Sequence, residues 1–343
     1  MAHTNRPWLM PRSRIGWGLA IIRLLVIGGL MLLGLFAMTR MPGTSYRGPL
    51  PPLSPAEEEM RDNLQRHVAA LAGGIGERNI WRPGSMAKAA AYLASTLAGL
   101  GYTVHGQEFT AYGVAVSNLE VEVAGTSRPG EILVVGAHYD TVRGSPGAND
   151  NGSGVAALLE LARLLRREQP GRTVRLVAFA NEEPPFYFTT DMGSHRYAAR
   201  CKAHGEKIVA MLALETMGCY SDAPGSQRYP WPFGLFYPNR ADFIAMVGNL
   251  ASRHLVRQVT GSFRQHRRFP AEGLAAPGFV HGVGWSDHWS FWEQDYPALM
   301  VTDTAFFRSP FYHTPQDTLE KLDYARLAQV VAGLDQVVLD LAH

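Results

Sequence analysis

Residues 131–140, EILVVGAHYD, decide the fold of this chain. Ile132–Ala137 is a short, continuous apolar run, as expected of a strand buried on both faces, and it stops at His138 and Asp140. Working outward, Val174–Ala180 and Ile208–Leu214 are runs of the same kind. The first leads into Asn181-Glu182-Glu183 and the second into Glu215. Between them lie stretches with helical spacing, Val155–Arg167 and roughly Ser194–His204. Short buried strands alternating with helices imply crossover connections and a mostly parallel sheet.

The flanking sequence completes an α/β expectation: a mostly parallel, mixed central sheet with helices on both faces. Valines alternate with polar residues between Tyr102 and Ala124, as in an antiparallel pair at a sheet edge. Ala298–Thr302 reads as a further strand and Tyr324–Leu341 as a closing amphipathic helix. Upstream, Ser54-Pro55-Ala56-Glu57 has the form of a capping box, opening a helix to about Leu71. A second helix fits Met86–Leu100, with Ser85 as cap and Gly101 as stop. Ala223–Pro238 and Ser262–Trp285 show no clear period and read as long loops bordering a site.

With 343 residues, of which 46% are hydrophobic, the chain can bury a full core. Its net charge of +2 hides an asymmetry. Arg6, Arg12, Arg14, Arg23, Arg40 and Arg47 precede any acid, so the remainder carries −4, the difference between +2 and those six charges. A mildly acidic body argues against nucleic acid as a partner. Ile15–Met38 is apolar except for Arg23, long enough to span a bilayer behind a basic tail. The expected order is a cytoplasmic tail (1–14), a signal anchor (15–38), a proline-rich linker (39–55) and a catalytic domain (56–343) held outside the cytoplasm. The rival reading of the apolar run is a cleaved signal peptide, although no convincing cleavage site follows it. Cys201 and Cys219 could form one bridge in an oxidising compartment, but they cannot build a disulfide scaffold.

His138, Asp150, Glu183, Glu215 and His313 are the candidate metal ligands. In open α/β sheets, ligands bind beyond the carboxyl ends of the strands, where the apolar runs deliver these residues. Each alone has a plain explanation: a strand-end hydrogen bond, an Asn-Asp-Asn-Gly turn, a solvated pair of glutamates, a turn cap. Those explanations give no reason for so many acids and two histidines to converge, since that much like charge in one cleft is strongly unfavourable without cations. Two divalent ions would resolve it. Imidazole with carboxylate suits zinc best, with cobalt or manganese as substitutes, and one bridging carboxylate lets five ligands serve two ions. Glu182, beside the ligand Glu183, is the candidate general base. Asp140 is placed to orient the His138 ring.

These motifs resemble the co-catalytic zinc exopeptidases, a family that includes bacterial leucyl aminopeptidases, aminopeptidase S and glutamate carboxypeptidase II. The blocks VVGAHYDTV, GANDNGSGVAALLELARLL, VAFANEEPPF, LALETMGCY, GWSDHWSFWEQDYPALMVTDT and YHTPQDTLEKLD occur in the family's order. The resemblance implies His138 and Glu215 on one zinc, Glu183 and His313 on the other, and Asp150 bridging. It also implies Glu182 as base, Asp140 behind His138, and Asp287 as an acid near the site. Glu215 departs from the aspartate of the best-known aminopeptidases by one methylene.

The expected function is hydrolysis of peptides from one end, most simply as an aminopeptidase. Two readings stand beside it: a glutaminyl-peptide cyclotransferase with a single zinc, and a membrane-anchored ectodomain without catalysis. Tyr187, Tyr229, Trp231, Trp285, Phe306 and Phe307 are candidates for an apolar substrate pocket. Arg264, Arg267 and Arg268 face either an acidic substrate terminus or solvent.

Overall fold

The computed structural model describes residues 14–343 and contains two compact units, one ending at Arg40 and one running from Met41 to His343. Of the expected basic tail, all but Arg14 lies outside the described residues. In the first unit, α1 (Arg14–Thr39) is a single helix with no buried residue, long and apolar enough to cross a membrane.

The second unit is built on one eight-stranded sheet. Its strands are β1 (His105–Ala111), β2 (Val114–Val123), β3 (Arg128–His138), β4 (Arg172–Phe179), β5 (Lys207–Glu215), β6 (Ile244–Gly248), β7 (Ala271–Ala275) and β8 (Ala298–Thr302), in the order β1-β2-β4-β3-β5-β8-β6-β7. The centre, β4-β3-β5-β8, is parallel; β1, β2 and the β6/β8 junction are antiparallel. Successive residues of β3 feed opposite cores: Leu133, Val135 and Ala137 join one cluster, Ile132 and Val134 the other. That is the period-2 consequence of a strand covered on both faces. Gly136 is required where β3 meets β4, because a Cβ there would sit 2.2 Å from the Phe179 ring.

The larger core lies beneath α2 (Pro55–Val68), α3 (Ser85–Gly99), α4 (Gly154–Leu165), α6 (Arg253–His266) and α8 (Tyr324–Ala342). The smaller one lies beneath α5 (Gly193–Ala203) and α7 (His288–Trp292). The expected capping box forms: Glu57 N donates to Ser54 Oγ at 3.3 Å and Ser54 N to Glu57 Oε2 at 2.8 Å.

Three expectations need correction, and the open question of a disulfide is answered. The first helix passes into a wider turn over Ala69–Ile75 that stops at Gly76, whose φ of 77° no ordinary residue favours. Ser85 is not the cap of α3; Gly84 is, with φ of 75°, while Ser85 Oγ exchanges hydrogen bonds with the backbone of Asn79. The stretch Ser262–Trp285 is not one loop, for it holds the end of α6 and all of β7, and β6 just upstream was unanticipated. The two cysteines are free and buried, Cys201 on the core face of α5 and Cys219 in the loop beyond β5.

Residues 41–54, expected as part of a linker, lie along the sheet edge. Met41 is buried over Gly273 of β7, Ala271 N donates to Ser45 Oγ, and Gln329 of α8 donates to Pro51 O. Arg264 donates to Pro42 O and pairs with Glu272; Arg267 pairs with Glu57. These two arginines therefore serve packing, not a substrate. Arg268 stacks over Tyr46.

Candidate metal centre

Four parallel strands deliver the site. β3 ends on His138 and β5 on Glu215; β4 continues into the Glu182-Glu183 turn, and β8 leads to His313. Asp150 comes from the loop between β3 and α4. His138 Nε2 lies 3.1 Å from Glu215 Oε2 and 3.4 Å from Asp150 Oδ1. His313 Nε2 lies 2.9 Å from the other oxygen of Asp150 and 3.1 Å from Glu183 Oε2. The five residues thus form two groups, His138–Asp150–Glu215 and Asp150–Glu183–His313, each able to hold a cation, with Asp150 common to both.

The polar atoms here are turned mainly on one another. His138 Nδ1 and Glu183 Oε1 are buried without a hydrogen bond, a state buried polar groups rarely accept, and Asp150 and His313 Nε2 face only other candidate ligands. An imidazole-and-carboxylate donor set in two overlapping clusters fits zinc. The electrostatics of the cluster follow from the same crowding. Burial, with repulsion from Asp150, pushes Glu183 up to about 8; burial and the neighbouring acids push Glu182 well above the carboxylate range. Burial disfavours charge on His313, yet its bonds to Asp150 and Glu183 hold it up at about 11. Burial also acts against ionised Asp150, but the two imidazoles outweigh it and keep that carboxyl below its usual range.

A shell of backbone bonds fixes the cluster. Asp140 accepts from Glu182 N and Glu183 N, both at 3.0 Å, while its Oδ1 sits 3.4 Å from His138 Nδ1. One carboxylate therefore ties the end of β3 to the turn after β4. Ser286 Oγ donates to Glu215 at 2.8 Å, and Asp287 next to it is buried, its carboxyl pushed up to about 7 by that burial, with Glu215 and Asp140 adding repulsion. Asn181, Thr216 and His313 all have positive φ, so the backbone bends sharply beside three of the candidate ligands. At Gly147, φ of 60°, a Cβ would strike Asp150 O at 2.3 Å.

Sequence reasoning missed several supports. Asp317 accepts from Asn149 N and Asp150 N, at 2.9 and 3.0 Å, and so holds the Asp150 loop. It sits in HTPQDT beside His313, a signal that was available. Arg78 is fully buried and donates to Tyr139 O, Gly76 O, Pro146 O and Gly147 O. Nothing local in the sequence marked it.

An apolar cavity of about 90 Å³ adjoins Glu215. Of the six aromatic candidates, Tyr229, Trp285, Phe306 and Phe307 line it, with Tyr312 stacked on His313. Tyr187 instead donates to Gly284 O, and Trp231 is exposed to solvent.

A family model for peptidase family M28 matches residues 118–338. The chain belongs to peptidase family M28. This M28 peptidase is therefore a hydrolase of peptide bonds. It is 38% identical over 282 residues to the uncharacterized protein YfbL of Escherichia coli K12, covering 80% of this chain and 86% of that one. It is 29% identical to a probable zinc metalloprotease of Pyrenophora teres, with 71% of the chain aligned to about half, 53%, of that longer protein. Among solved structures, the Bacillus subtilis zinc aminopeptidase BSAP superposes with a TM-score of 0.66 at 17% identity, over 82% of this chain and 95% of that one. A glutaminyl cyclase of Bacteroides thetaiotaomicron gives 0.62 at 18%, over 85% and 99%. At such identities these two likenesses bear on the fold, which the M28 peptidase shares with both.

Proposed function

We propose that this M28 peptidase is a zinc-dependent aminopeptidase that works with two ions. The observation that carries the reading is Asp150, whose two oxygens face His138 on one side and His313 on the other. His138 and Glu215 would hold one ion, Glu183 and His313 the second, and Asp150 both. When bound, zinc supplies Lewis acidity, polarising a carbonyl and acidifying water.

The chain's own residues do the rest. Glu182 is buried in the cluster, 3.9 Å from His138 Nε2, and belongs to neither ligand group. It is the residue left to take a proton from water and return it to the departing amine. Asp140 keeps His138 and the Glu182-Glu183 turn in register. The apolar cavity beside Glu215 receives the first side chain of the peptide. A single water needs roughly 10–15 Å³ on this measure, so about 90 Å³ admits one large hydrophobic side chain and little more. A glutaminyl cyclase with one zinc is less well supported, because it leaves one of the two ligand groups without a task.

Glu182→Gln tests the reading: hydrolysis of aminoacyl substrates should fall by about 10²–10⁴-fold with zinc content unchanged. Turnover that survives the change would remove Glu182 from the mechanism. Zinc stoichiometry near one per chain, with cyclisation of N-terminal glutamine, would favour the cyclase instead. We also propose that α1 is an uncleaved anchor holding the catalytic unit outside the cytoplasm. Resistance to alkaline carbonate extraction, with an intact N-terminus on sequencing, is the expected result.

A further inference from the structure

A second cavity, of about 380 Å³, lies between the loop after β5 and the segment after β8. Phe306 and Phe307 line both this cavity and the apolar one, so two aromatic rings form a wall common to the two spaces. The lining is otherwise unlike that of its neighbour. Arg228, Arg308 and Lys321 line it together with Ser221, Ser226 and Ser309, and no acid does.

Arg308 is the informative member. Its guanidinium donates to Gln227 Oε1 at 2.9 Å, to Cys219 O at 3.1 Å and to Phe243 O at 2.9 Å, all neutral acceptors. Nη2 is buried and has no acceptor. Among the described residues no carboxylate lies within 4.0 Å of this guanidinium, and Asp303, its strongest acidic influence, acts from beyond ion-pair distance. Arg175, Arg264 and Arg326, by contrast, are each paired with a carboxylate at 3.0 Å or less. Tyr220, over whose ring Arg308 lies at 5.7 Å, also buries a hydroxyl without a partner.

A guanidinium taken out of water without a countercharge is strongly unfavourable. Three cations line the space and no acid does, Glu320 lying outside the lining with its Oε1 3.8 Å from Lys321 Nζ, and this excess of cations makes the potential positive and concentrates anions there. We infer that this cavity is an anion-binding site for a small molecule bearing a carboxylate or phosphate group, separate from the metal cluster. Arg228 and Lys321 sit where they can reach the anion with charge-assisted hydrogen bonds, and Arg308 supplies the buried charge that the anion balances.

The test is calorimetric titration of the full-length, zinc-loaded protein with inorganic phosphate and, separately, with succinate. Each titration is run on the wild type and on Arg228→Glu/Lys321→Glu. Neither position belongs to the catalytic cluster, so zinc content and hydrolysis of aminoacyl substrates should match the wild type. Saturable binding of either anion, weakened about tenfold or more by the double substitution, is the expected result. Phosphate alone would identify a phosphate site, and succinate alone a carboxylate site. Binding that is equal in both proteins places the anion on the zinc ions and overturns the inference, as does the absence of binding.

Discussion

A single carboxylate, Asp140, accepts two backbone N–H groups from the turn that carries Glu182 and Glu183, and faces His138 with the same oxygen that binds Glu182 N. Groups standing behind metal ligands in this way typically govern metal affinity by about 10–100-fold. Asp140→Asn should therefore weaken zinc binding by about that factor in competition with a chromophoric chelator, more than it changes the thermal melt of the zinc-saturated protein. Arg78 works on stability instead. Arg78→Met would leave four carbonyls around the Asp150 loop without their donor, and we expect a loss of about 3 kcal/mol or more in urea unfolding. His138, Glu183 and Glu215 were legible because each stands at or just beyond an apolar run, and Asp150 and His313 because they sit in distinctive loop motifs, GANDNGSG and YHTPQDT. Arg78 was not, since its partners are carbonyls distant in sequence, and carbonyls carry no residue signature. Asp317 was half-legible: it lies in a quoted motif, but its role depends on two amides of another loop.

At the scale of elements, local chemistry decided what could be foreseen. The central strands β3, β4 and β5 are buried on both faces and read as unbroken apolar runs. α6 was hidden by its own arginines and histidines, although Leu255, Val256, Val259 and Phe263 form its buried face. β6 and β7 have five residues each, and unlike the equally short β8 they lie within or beside stretches that read as loops. The wider turn after α2 carries the helix through Gly73 and Gly74, which locally signal an end, to its stop at Gly76. The capping box of α2 was visible because it is wholly local. Ser54→Ala removes it, and the unfolding free energy should drop by about 1 kcal/mol with no effect on zinc content.

For the whole molecule, the buried His288 and the half-buried His67 set an acid limit. Burial lowers both His67 and His288 to about 4 from an ordinary 6.5. Between those values the unfolded chain binds protons that the folded chain refuses. Stability therefore falls as pH drops from 6.5 towards 4, by at most about 1.4 kcal/mol per pH unit for each histidine. His67→Gln should flatten the pH dependence of the melting temperature in that window; an unchanged slope would show that His67 contributes nothing to it. Removing zinc acts in the same direction at neutral pH, because ions that bind only the folded state stabilise it by mass action. Chelation should lower the melting temperature, and added zinc should restore it.

The segment from Met41 to Ser54 has a practical consequence for handling the protein. β7 ends the sheet, and Ser45 and Met41 cover its outer side. A soluble fragment cut at Ser54 would bare a strand flank whose unpaired amides invite self-association. A fragment starting at Met41 keeps that flank sealed. Light scattering of the two fragments at equal concentration should find aggregates in the shorter one alone.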